Sequence, residues 1–259
     1  MPTLTTALAV EYQHLFDTCQ INTNRYDATD YVVDLITNHR QRYESVSAAL
    51  GIPWYFVGIL HSLEASCNFK KHLHNGDPLT ARTKNVPRGR PVDGNPPFTW
   101  EESAIDALTM KSLNTWTDWS VPGMLYQSER YNGFGYRRHG INSPYLWSFS
   151  NQYVRGKYTA DGIYSDTAVS KQCGAATLLR RMSERFIIQL QRTLAEQIKE
   201  LGETVAYAPG RYSANAEALQ RLLNKSGFLL RVDGLAGPRT SDAFQAVTGN
   251  YLRGDRRRR

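Results

Sequence analysis

Hydrophobic positions recur at helical spacing through most of this chain, and the clearest stripe begins at Pro53. Phe56, Ile59, Leu60, Leu63 and Cys67 fall at i, i+3, i+4, i+7 and i+11, which predicts one buried face of a helix. Glu64 lies one residue round from Leu63, on the line of Val57 and Leu60. The pattern therefore predicts a carboxylate at the margin of an apolar face rather than in open solvent. Amphipathic helices are expected before it over about 5–18 and 29–50, with Gly51-Ile52-Pro53 as punctuation. Pro53 can open the next helix because its missing N–H is one that a first turn does not use.

Beyond residue 68 the period is lost. Gly76, Pro78, Pro87, Gly89, Pro91, Gly94, Pro96 and Pro97 exclude a long helix, while 79–84 allows short strands, so 68–98 reads as a hairpin-bearing excursion. Helices resume over about 100–111, with Thr99 as cap and Glu101 and Glu102 in the first turn, and over about 121–131. A loop-rich aromatic stretch from Tyr131 to Tyr164 follows. Leu179, Met182, Phe186, Leu190, Leu194, Ile198 and Leu201 then keep steps of three and four, predicting one long helix closed by Gly202. Residues 203–213, with Pro209-Gly210, read as a linker to a small second unit: a helix over 216–223, a stop at Gly227 and a final helix after Thr240.

Composition adds bounds. The 259 residues are 41% hydrophobic and 21% charged, as expected of a globular chain with room for one large and one small domain. No run approaches the roughly 20 apolar residues of a membrane span. A net charge of +7 favours anionic polymers, without choosing among nucleic acid, wall polymers and lipid surfaces. Four of the positive charges form the run Arg256-Arg257-Arg258-Arg259, read as a disordered basic tail. Cys19, Cys67 and Cys173 are far apart and odd in number, so they predict neither a disulfide framework nor a zinc site, and point to synthesis in a reducing compartment. The first eleven residues lack a basic n-region, so no signal peptide is expected.

The second unit carries an ordered motif. Leu219-Gln220-Arg221-Leu222-Leu223-Asn224 is followed by Gly227-Phe228, then Val232-Asp233-Gly234-Leu235-Ala236-Gly237-Pro238-Arg239-Thr240, then Ala243-Phe244. It resembles the peptidoglycan-binding domain family, a three-helix module with a Leu-Gln helix and an Asp-Gly-x-x-Gly-Pro-x-Thr turn. On this reading Gly234 and Gly237 permit tight turns and Thr240 caps the last helix. Asp233, Gly234, Gly237 and Thr240 are the module's motif residues, and the resemblance implies binding to wall glycopeptide.

The Glu64 segment, followed by His72-Leu73-His74-Asn75-Gly76-Asp77-Pro78, resembles the lysozyme-like superfamily of goose-type lysozymes, lytic transglycosylases and phage-type lysozymes. These carry a catalytic Glu at the end of a buried helix, then a hairpin and a helical lobe. Phage-type members space their site as Glu, eight residues, Asp, five residues, Thr. Here twelve residues separate Glu64 from Asp77 and five separate Asp77 from Thr83. Downstream, Tyr131-Asn132-Gly133-Phe134-Gly135-Tyr136 is similar to the Ala-Tyr-Asn-Ala-Gly motif of lytic transglycosylases, with Phe134 inserted.

Glycosidic cleavage at neutral pH needs a general acid of raised pKa, and Val57, Leu60 and Trp54 are the apolar neighbours expected to desolvate Glu64. Asp77, in a polar turn, is expected to stay ionised and Thr83 to hold a water. Tyr131, Asn132, Tyr136, Tyr145 and Trp147 are the candidate sugar-contacting residues, with about half of the local aromatics expected to be core. His72, His74 and Asp77 lack a fourth ligand at suitable spacing, so they read as solvated loop residues; no metal and no cofactor is expected.

Together these readings give a mainly α, lysozyme-like (α+β) fold. A catalytic domain is expected over 1–205, a three-helix wall-binding module over 206–255 and a basic tail over 256–259. The expected function is cleavage of the β-1,4 bond between N-acetylmuramic acid and N-acetylglucosamine by hydrolysis. The alternatives are a lytic transglycosylase and a non-catalytic wall-binding component. The expected partners are peptidoglycan strands and anionic envelope polymers, not nucleic acid. Without a signal peptide, the chain is expected to be made in the cytoplasm and to reach the wall as an endolysin or as part of a phage virion or injection system.

Overall fold

A computed structural model describes residues 3–160, 162–190 and 193–258. The described residues are mainly helical: α1 Thr6–Asp17, α2 Tyr26–Asn38, α3 Arg40–Leu50, α4 Trp54–Ala65, α5 Trp100–Met110, α6 Val121–Asn132, α7 Pro144–Trp147, α8 Ala175–Glu184, α9 Leu194–Glu203, α10 Ala214–Lys225 and α11 Pro238–Thr248. Two short strands, β1 Lys157–Ala160 and β2 Ile163–Ser165, form an antiparallel pair with Tyr158 opposite Tyr164. The chain divides into two compact units, residues 1–190 and 191–259.

The first unit is built around α4. Tyr55 to Leu63 are buried without interruption, so this largely apolar helix is covered on every side and sits at the centre of the core. It packs on α2, α3 and α8. The approach to α2 and α3 is close at Gly58, where a Cβ would fall 2.5 Å from Ile36 and 3.3 Å from the Tyr43 ring. The core also takes Tyr12, Trp100 and Trp147, which are almost fully buried. α5 begins as expected at Thr99, with a capping box in which Thr99 accepts from the Glu102 amide and Glu102 accepts from the Thr99 amide.

Several expected elements take another form. The single helix expected over 29–50 is two helices interrupted at His39, whose ring lies against Phe69 at 4.8 Å. The 79–84 segment forms no strand; the excursion closes instead on an isolated Lys71–Pro78 bridge. The two-stranded sheet lies inside the stretch read as aromatic loops. The long helix expected over 179–201 is broken: α8 ends at Glu184, Phe186 takes a left-handed φ of 55° with its ring exposed, and α9 starts at Leu194 behind a Thr193–Glu196 capping box. The apolar spacing runs on across the break because its two halves serve different cores. Leu179 and Met182 are buried in the first unit, and Ile198 in the second.

The second unit therefore begins earlier than residue 206. Its three helices α9, α10 and α11 pack around Ile198, Leu219, Leu223 and Phe244. Gly202 is not a helix stop: it lies within α9, and a Cβ there would fall 2.0 Å from the Phe244 ring, so it is glycine for close packing. The expected linker is part of the unit, with Val205 buried and bridges pairing Ala206 with Arg253 and Ala208 with Ala236. The basic tail is tied down where described: Arg257 pairs with Asp242 and Asp255, and Arg258 with Glu203. Arg259, and Met1 and Pro2 at the other end, lie outside the described residues.

Candidate active site

Glu64 stands in the last turn of α4, one residue before its end. The chain leaves the helix through Ser66 and Cys67, both at left-handed φ (51° and 56°) although neither is glycine. Such geometry is costly and persists only where the surroundings hold it. Part of that hold comes from Gln172, whose amide nitrogen donates to the carbonyls of Leu63 at 2.7 Å and Ser62 at 3.3 Å. These bonds satisfy acceptors that a helix end otherwise leaves open.

The Glu64 side chain is half-buried, at the edge of a face where Val57 and Leu60 are fully buried. Its Oε1 accepts a 2.7 Å hydrogen bond from the Tyr145 hydroxyl, carried on α7. Burial pushes the Glu64 carboxyl above its ordinary range; the Tyr145 hydrogen bond and the positive charge of Lys111 pull the other way without cancelling it. The negative end of the helix dipole acts in the same direction as burial, since an anion at a helix C-terminus is disfavoured. Tyr131 on α6 and Tyr145 are raised well above the usual phenol range by burial and by the charge of Glu64, so both keep their protons. The Lys111 ammonium lies 4.9 Å over the Tyr131 ring. One acid, two protonated phenols and one ammonium thus converge from α4, α6, α7 and the end of α5.

Asp77 is bound into its own loop. Its carboxylate accepts from the Lys84 amide at 2.8 Å, the Asn85 amide at 2.9 Å, the Asn85 side chain at 2.7 Å and the Asn75 side chain at 3.2 Å. The Asn85 and Lys84 amides lead in holding it below the usual carboxylate range. Thr83 is buried; its hydroxyl donates to the Pro87 carbonyl and accepts from the Arg90 amide at 2.9 Å. Both residues organise the 75–90 loop, and neither shares a hydrogen bond with Glu64.

The aromatic candidates separate cleanly. Tyr131 and Tyr145 face Glu64. Trp147 is fully buried core, and Tyr136 is buried with its hydroxyl accepting from the Tyr158 amide at 3.3 Å. Asn132 is exposed at the end of α6. His72 and His74 are buried, not solvated: His72 bonds Ser103 at 2.8 Å, and His74 Nε2 bonds Asp106 at 2.7 Å. Among the described residues no three His, Cys, Asp or Glu side chains gather as a metal site, and all three cysteines are free thiols.

Sequence reasoning did not single out Gln172, Lys111 or Glu129. Glu129 is a buried carboxylate on α6 that receives the Tyr12 hydroxyl and, at 2.8 Å, Arg137, tying α1 to α6. Little local marks these residues: Glu129 bonds Arg137 eight residues on, but its other partner Tyr12 and the carbonyls that Gln172 holds are more than 100 residues away. In the second unit Gln220 was quoted only as part of a repeat, yet its amide holds the whole motif loop. Nε2 donates to Asp233 Oδ1, the Leu235 carbonyl and Thr240 Oγ1, while Oε1 accepts from the Asp233 and Gly234 amides. Thr240 is therefore a buried partner of Gln220; α11 starts at Pro238 with Gly237 as its uncapped N-cap. Gly234 needs its positive φ of 69°, whereas Gly237 is extended.

Among the described residues no single helix is long and apolar enough to cross a membrane. No protein-family model, curated protein or solved structure matches the chain.

Proposed function

We propose that the first unit cleaves the β-1,4 glycosidic bond of peptidoglycan with Glu64 as general acid, and that the second unit holds the enzyme to the wall. The observation that carries this reading is the carboxyl of Glu64: desolvated, raised in pKa and fixed by Tyr145 at the end of the central helix. A carboxyl whose pKa is raised holds its proton to higher pH and can protonate a leaving oxygen, and positioned acids of this kind contribute roughly 10²–10⁴-fold to rate. The phenols of Tyr131 and Tyr145 supply flat, partly apolar surfaces with hydroxyl groups, suited to a sugar ring. Tethering through a second unit raises local substrate concentration without demanding tight binding around Glu64.

Asp77 supports a particular version of the chemistry. Its oxygens are engaged by four donors of its own loop, leaving it poorly placed to activate water. That favours a route needing one carboxyl alone, in which Glu64 first donates its proton to the leaving oxygen. It then takes a proton from the muramic C6 hydroxyl as that oxygen attacks C1, as in lytic transglycosylases. Mass spectrometry of fragments released from purified sacculi tests both levels. Glu64→Gln should release nothing, and the unmodified chain should give anhydro ends. Reducing ends would restore the hydrolase and a water-handling group, and fragments from both chains would remove Glu64 from the reaction.

A further inference from the structure

The second unit holds a cavity of about 240 Å³ beside its motif loop. Pro209, Leu230, Leu235 and Pro238 give it apolar walls, and Arg231 and Arg239 stand at its edge. Arg239 makes no ion pair among the described residues, whereas Arg231 pairs with Asp233 at 3.8 Å. Asp233 itself is turned to the loop, accepting from Gln220 at 3.0 Å and from the Leu235 amide at 3.0 Å. Asp233 also lines the cavity and partly offsets Arg231, so among the described residues Arg239 is the lining guanidinium without an ion pair, on a loop fixed from behind by a buried glutamine. The charge of the unit has the same sign: residues 191–259 hold twelve Lys and Arg against seven Asp and Glu.

We infer that this cavity binds the free C-terminal carboxylate of a short peptide with small side chains, the carboxylate taken by Arg239, with Arg231 beside it, and the side chains by the proline and leucine walls. This rests on the wall-binding reading of the second unit and names what that unit recognises: peptide ends, not glycan. The volume suits one or two small residues rather than a disaccharide. A guanidinium offers a planar pair of donors matched to a carboxylate, and apolar walls beside it suit small apolar side chains. A peptide carboxamide has the same shape without the charge, so it isolates the contribution of the anion.

The test is calorimetric titration of the full chain carrying Glu64→Gln, so that no cleavage intervenes, with N-acetyl-Lys-D-Ala-D-Ala and with the same peptide ending in a carboxamide. The free acid should bind about tenfold more tightly. Arg239→Gln, on an exposed position, should remove that preference, and Arg231→Gln should weaken it. Equal binding of the two peptides, no binding of either, or a preference unchanged in Arg239→Gln overturns the inference. So does displacement of the peptide by equimolar inorganic phosphate, which would make the site a general anion cradle. Co-sedimentation of the same proteins with intact sacculi separates the two levels. Retention on sacculi without carboxylate preference removes this inference alone, and no retention removes the wall-binding reading beneath it.

Discussion

A carboxylate at the C-terminal end of a buried helix meets two penalties, desolvation and the helix dipole; among the described residues Glu64 has no ion pair, and the charge of Lys111 offsets them only in part. The Tyr145 hydroxyl favours the charged form, so its removal should raise the Glu64 pKa further. Activity that needs the protonated acid falls as pH rises through that pKa. Tyr145→Phe should therefore move the alkaline limb of the pH–rate profile upward, and a shift downward or none would mean that the bond does not govern Glu64. Stability follows the same sign: the folded state holds the Glu64 proton more tightly than the unfolded chain, so stability contributed here declines as pH rises from the ordinary carboxylate range to the raised one. Asp77 behaves oppositely. Its depressed pKa supplies stability that is present above the unfolded value and lost as pH falls through the folded one. Asp77→Asn puts an NH₂ against donors and should loosen the 75–85 loop, while the rate falls less than about tenfold, against the roughly 10²–10⁴-fold expected for Glu64→Gln. Comparable losses in the two variants would return Asp77 to the chemistry. Glu64 was legible because a charged residue interrupting an apolar stripe is visible in any helical pattern. Its bond to Tyr145 was not, since the partner lies 81 residues away.

Helix boundaries expose what periodicity can and cannot carry. Thr99 and Glu102 announce α5 because a capping box is a local device. The break after α8 carries the same device at its far side, the Thr193–Glu196 capping box that opens α9, but the three-and-four spacing runs on across two cores and masks it; Phe186, left-handed and exposed, lies in the break. Gly202 looked like a stop and is instead a contact point for Phe244. Gly202→Ala should overpack that contact and cost the second unit about 1–3 kcal/mol, seen as a lowered midpoint in denaturant. Gln220→Leu should cost about 3 kcal/mol or more, because it leaves the buried amides of Asp233 and Gly234 without their acceptor. A neutral result for Gln220→Leu would mean that the loop holds itself.

At the scale of the molecule, two units with separate cores predict that destabilising the second leaves the first in place. Calorimetry of the full chain should show Gly202→Ala and Gln220→Leu moving one transition while the other stays fixed; a joint shift would contradict independent cores. The sequence pattern anticipated two units and their helical class. It placed the boundary some fifteen residues late, because α9 carries no mark of the core it joins. The net charge of +7 predicts that adsorption to an anionic wall weakens steeply with salt, while cleavage of a soluble fragment changes little. General-acid catalysis by this chain requires the protonation of one side chain, Glu64. The most direct measurement is a carbon-detected NMR titration of the glutamate carboxyls, with Glu64→Gln used to assign the signal. A Glu64 carboxyl that titrates above the usual glutamate range is the result predicted; one that titrates within or below that range would contradict a general acid at this position.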